Sequence, residues 1–98
     1  MPEVVLDSYV VDSLLRDLVG HGRSASTFLV YLFLWRHTYG EGRPSAAFSH
    51  AVLAGGIGMS KRAVQNALKI LTRRKLIKSH RRTITAVPQY TVLRPWVR

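Results

Sequence analysis

Between Ser60 and Arg73 the chain sets cations and amides at helical spacing. Arg62, Asn66, Lys69 and Arg73 recur every three or four residues. At about 100° per residue they share one face of a helix, with Gln65 at its edge. A guanidinium can pair with guanine through two parallel hydrogen bonds, and an Asn or Gln amide can do the same with adenine. Arg62, Gln65 and Asn66 are therefore the candidates to read base edges. Lys69 and Arg73 lie further along and suit phosphate. Ser60 and Lys61 open the helix, where free amides favour an anion. Ser49 and His50 open the segment before it and are expected to join them on the backbone. A second basic run, Lys78, His80, Arg81 and Arg82, is placed to grip an adjacent minor groove or its backbone.

The chain lacks the parts of other chemistries. It has no cysteine, so disulfides, thiolate metal sites and a Cys nucleophile are out. The five acids, Glu3, Asp7, Asp12, Asp17 and Glu41, all fall within the first 41 residues. None stands with a His at metal-ligand spacing, so no metal and no cofactor are expected. His21, between two glycines, reads as a solvated turn residue. Gly55-Gly-Ile-Gly58 lacks the GxxxxGK[ST] pattern of a phosphate loop, and no GxSxG is present. The expectation is a protein that binds and does not catalyse.

Charge points the same way. The net charge is +10, unevenly placed. Residues 1–49 hold four arginines against five acids, a net −1, while residues 50–98 hold eleven Lys or Arg and no acid, a net +11. A solvated surface normally interleaves both signs, and a single-sign field suits a polyanion. The longest apolar run, Phe28–Trp35, spans eight residues, against the roughly 20 needed to span a bilayer. No basic n-region opens the sequence. The expected location is the cytoplasm, on the nucleoid when DNA is bound, with no membrane partner.

The elements that position these groups follow from the apolar pattern. Asp7 or Ser8 can cap a first helix running to about Val19, with Val11, Leu14, Leu15, Leu18 and Val19 as its apolar stripe and Asp12, Arg16 and Asp17 on its wet side. Residues 2–6 are an apolar strand or arm before it. Ser24 begins a second helix, apolar on every side from Phe28 to Trp35. A helix of that kind is buried all round. In a chain of 98 residues one core encloses it only with difficulty, so Phe28, Tyr31, Leu32, Phe33 and Trp35 are expected to face a second copy. Ser45–Phe48 is a short strand. Ser49 caps a short helix with Val52 and Leu53 inward, and Gly55, Gly56 and Gly58 break it. Ser60 caps the next, whose Val64, Ala67, Leu68 and Leu71 fall at i, i+3, i+4 and i+7. Strands follow over Leu76–Arg82 and Gln89–Arg94, with a wing tip at 83–88 and a short tail that Trp96 can anchor.

The pattern Leu53-Ala54-x-x-x-Gly58-x-Ser60-x-x-x-Val64-x-x-Ala67-Leu68-x-x-Leu71-x-x-x-x-Leu76-Ile77 resembles bacterial winged helix-turn-helix domains over residues 45–94. Similar patterns occur in MarR and GntR transcription regulators and in the winged domains of plasmid and phage replication initiators. The resemblance implies one α+β, mainly α, domain over 1–98: four helices with a small antiparallel β-wing, residues 1–44 for dimerisation, 45–94 for the helix-turn-helix and wing, and 95–98 as tail. It also implies that the helix over 60–74 enters the major groove of duplex DNA. The expected function is a small homodimeric, sequence-specific transcription regulator. The alternative is the DNA-binding domain of a plasmid, phage or mobile-element replication or partition protein. A winged domain used only for protein contact fits the +11 half poorly.

Overall fold

The computed structural model describes residues 3–97. Pro2, in the expected N-terminal arm, and Arg98, in the expected tail, lie outside the described residues. The fold is the expected winged helix-turn-helix: an N-terminal helix over 8–21, then α1 (Ala25–His37), β1 (Ser45–Ala47), α2 (His50–Ile57), α3 (Lys61–Arg73), β2 (Ile77–His80) and β3 (Gln89–Val92). The three strands form one antiparallel sheet in the order β1-β3-β2. Ala46 sits opposite Tyr90, and Ser79 opposite Tyr90 on the other side, so β3 is the central strand.

Side-chain caps start the three α-helices. The Ser24, Ser49 and Ser60 hydroxyls accept from the backbone N–H of Thr27, Val52 and Ala63, each a donor that the first helical turn leaves unpartnered. Gly58, at φ 86°, takes the left-handed turn between α2 and α3, where a side chain would strain. Helix α3 ends with Lys75 at φ 59°; the Lys75 and Leu76 amides donate to the Thr72 and Leu71 carbonyls, a Schellman closure with Lys at the position glycine usually takes.

The chain departs from its pattern in three places. The N-terminal helix contains two wide π turns, Val10–Leu14 and Asp17–His21, and runs two residues past Val19. Wide turns shift the inward register, so Val10, Leu14 and Leu18 are buried while Val11 and Val19 are exposed. Gly55 and Gly56 do not break α2; they lie inside it. A Cβ on Gly56 would stand 2.8 Å from the Phe33 ring, so that glycine permits α2 to approach α1. Val52, expected inward, is 54% exposed, and Leu53 alone in α2 is fully buried.

The third departure concerns α1. One protomer does enclose most of it. The N-terminal helix, α2, α3 and β3 pack around it, and Phe28, Val30, Tyr31, Leu34 and Trp35 are buried. Its polar atoms are satisfied inside the chain: Tyr31 Oη donates to the Leu93 carbonyl at 2.9 Å, and Trp35 Nε1 to the Val5 carbonyl at 2.9 Å. Phe28, Tyr31 and Trp35 therefore offer no surface to a second copy, contrary to the expectation. Leu32 and Phe33 are half-buried.

Both ends of the described chain are fastened over this core. Asp7 accepts from Arg94 Nε at 2.8 Å and from the Trp96 indole N–H at 2.9 Å, and Trp96 stacks on Tyr9 with ring centroids 4.6 Å apart. The expected anchoring of the tail by Trp96 thus occurs on its own domain.

Candidate nucleic-acid interface

The capped start of α3 and its apolar stripe decide which side chains reach solvent. With Val64, Ala67, Leu68 and Leu71 in the core, Arg62, Asn66, Lys69 and Arg73 are forced onto the opposite crest, all exposed. Gln65 turns toward the wing. A cleft of about 500 Å³ runs between α3 and the sheet, and Lys69, Arg73, Arg81, Gln65 and His50 line it over a floor of Leu68, Pro88 and Tyr90. A second hollow of about 310 Å³ adjoins it at the helix starts and the wing tip, with Ser49, Lys61, His50, Gln65 and Arg81 around it. Burial pushes the Tyr90 phenol up from its usual pKa, against the pull of the Arg81 charge, so the floor stays neutral.

The structure brings most of the expected residues together. Ser49, His50, Lys61, Gln65, Lys69, Arg73 and Arg81 share the connected hollows. Arg62 and Asn66 project from the crest beside them. Ser60 is committed as the cap of α3, its hydroxyl 3.1 Å from the Ala63 nitrogen. Lys78 is not brought to the cleft. Along β2 successive side chains alternate, so Ser79 lines the cleft while Lys78 does not and lies instead in a neighbouring hollow with Lys75 and Leu93. His80 and Arg82 are exposed near the base of the wing loop, and Arg81 Nη1 braces that loop by donating to the Ile84 carbonyl at 3.2 Å.

Ion pairing sorts the cations into two sets. Asp7 takes Arg94, Asp17 takes Arg74, and Glu41 takes Arg36 and Arg43. Among the described residues no carboxylate forms an ion pair with Lys61, Arg62, Lys69, Arg73, Arg81 or Arg82. Arg74 and Arg94 bridge segments distant in the chain, whereas Arg36 and Arg43 pair locally with Glu41. Lys61, Arg62, Lys69, Arg73, Arg81 and Arg82 are left on the crest, the cleft and the wing with no acid partner among the described residues. A surface of this kind recruits phosphate.

One contact escaped sequence reasoning. Gln65 Nε2 lies 3.3 Å from His50 Nδ1, a side-chain hydrogen bond that ties α3 to the first residue of α2. The two residues stand 15 apart in sequence, beyond any helical spacing rule. Among the described residues no group of three His, Asp or Glu could hold a metal ion. No helix there is long and apolar enough to cross a membrane.

Compared with known proteins, the chain matches the family model described as bacteriophage replication protein O over residues 8–92. No curated protein and no solved structure matches it. The matched span takes in the N-terminal helix, all three α-helices and all three strands.

Proposed function

The chain belongs to the bacteriophage replication protein O family, and from that premise we propose that it is the duplex-DNA-binding domain of a phage-type replication initiator. The observation that carries this reading is the acid-free cationic surface spread over α3, the cleft and the wing. Helix α3 enters the major groove. Arg62, Gln65 and Asn66 read base edges, and Lys61, Lys69, Arg73 and Arg81 hold phosphates on either side. His50 and Ser49 approach the backbone at the start of α2, and Arg82 reaches the adjacent minor groove from the wing.

This reading replaces the transcription-regulator expectation. Family membership favours the replication alternative, and the case for a symmetric dimer is weakened now that Phe28, Tyr31 and Trp35 serve the protomer's own core. One copy on each of several repeated sites suffices. The test is selection from a random duplex pool at two salt concentrations, followed by sequencing. Enrichment of direct repeats is the expected outcome. Inverted repeats spaced one helical turn apart would instead favour a dimeric regulator. No retention at low salt would overturn DNA binding altogether.

A further inference from the structure

We propose that His50 is a positioning residue that orients Gln65 for adenine, which rests on the reading of Gln65 as a base-contacting residue. Ser49 caps α2 through the Val52 amide, and this fixes His50 as the first helical residue, half-buried against α3. From there its Nδ1 lies 3.3 Å from Gln65 Nε2. The glutamine amide is a donor, so Nδ1 is the acceptor and the imidazole proton sits on Nε2. The contact uses one of the two amide hydrogens. The second hydrogen and Oε1 stay free.

Those two free groups are what adenine requires: an N–H for N7 and an oxygen for the N6 amino group. A glutamine on an exposed helix face samples many rotamers, and ordering it on binding costs affinity. Held by His50, Gln65 meets DNA with its amide plane already set and with donor and acceptor the right way round. The imidazole Nε2–H remains free for a phosphate oxygen. His50 thus acts on specificity through Gln65, in addition to any backbone contact of its own. Lys61 and Arg81 line the same hollow, and they contribute charge that is indifferent to base identity.

A double-mutant cycle on the full chain tests this, reading binding to the selected duplex and to a duplex with the adenine position changed. Gln65→Ala is expected to abolish the preference at one base pair. His50→Ala should reduce that preference about three- to tenfold, the worth of one hydrogen bond between neutral groups. His50→Asn, whose Oδ1 can accept in place of Nδ1, should restore most of it. In the Gln65→Ala background, His50→Ala should leave discrimination unchanged. A His50→Ala loss that is equal on every duplex and persists without Gln65 would make His50 a phosphate contact and overturn the proposal. A wild-type preference that Gln65→Ala leaves intact would instead overturn the base-reading role of Gln65, and the proposal with it. Circular dichroism of each variant separates these outcomes from unfolding.

Discussion

The salt dependence of DNA binding is set by how many cations meet phosphate. Lys61, Lys69, Arg73 and Arg81 line the connected hollows, and on the proposed docking they would make four phosphate contacts. At about 0.9 counterion released per contact, a plot of log K against log salt should have a slope of about −3.6. Raising salt from about 50 to about 200 mM should then weaken binding about 150-fold. Lys69→Ala removes one contact from the middle of the cleft and should make the slope shallower by about 0.9. It should lower affinity evenly across sequences. Arg62→Ala, on the crest, should narrow the gap between selected and random duplexes by about 1–3 kcal/mol. Fluorescence anisotropy of a labelled duplex, titrated at five salt concentrations, gives both quantities. Lys78→Ala is the internal control, since Lys78 lies outside the cleft. A Lys78→Ala slope change as large as that of Lys69→Ala would refute the assignment of the interface. So would a wild-type slope near zero.

Three further predictions concern the scaffold. Ser60→Ala leaves the Ala63 amide unpartnered at the start of α3 and should cost about 1 kcal/mol in urea unfolding, whereas Ser60→Gly should cost only a few tenths; equal losses would mean that the cap is not the cause. Lys75→Gly relieves a left-handed side-chain residue at φ 59° and should raise stability by about 1 kcal/mol, so a lower urea midpoint would contradict the Schellman assignment. The Trp96 indole N–H and the Arg94 guanidinium hold the Asp7 carboxyl below its usual pKa, against a smaller opposing effect of burial. A carboxyl whose pKa is lower folded than unfolded adds stability above its unfolded pKa, about 3.9, and that contribution is lost as pH falls through the folded value. Melting temperature should therefore drop with acid below about pH 4, and Asp7→Asn should flatten that part of the curve; an unchanged acid limb in the variant would remove Asp7 as its source.

Helix α3 was legible because everything that defines it is local. A serine cap, an apolar stripe at i, i+3, i+4 and i+7 and an opposing cationic crest lie within 14 residues, and the structure reproduces them. The wing was legible in outline for the same reason. What escaped depends on distant partners. Gly56 reads as a breaker until the Phe33 ring is seen packed on it. The apolar circumference of α1 suggested a dimer seam because nothing local reveals that the N-terminal helix, α2, α3 and β3 surround it. Arg74 and Arg94 count equally with the other cations in a charge tally, yet their acids stand 57 and 87 residues away in the chain. In the N-terminal helix Leu14 and Leu18 are buried as a 3.6-residue period expects, but the π turns turn Val10 inward in place of Val11 and Val19.

The most direct test of the interface is a residue-by-residue map of the complex in solution. Amide chemical shifts of the isotopically labelled chain would be followed during titration with a selected duplex. The largest changes are expected at Ser49 and His50, along Lys61–Arg73 and in the wing loop around Arg81, with little change at Val4, Leu29 and Leu32 in the apolar groove beside α1. Changes concentrated on that groove, with α3 and the wing undisturbed, would contradict it.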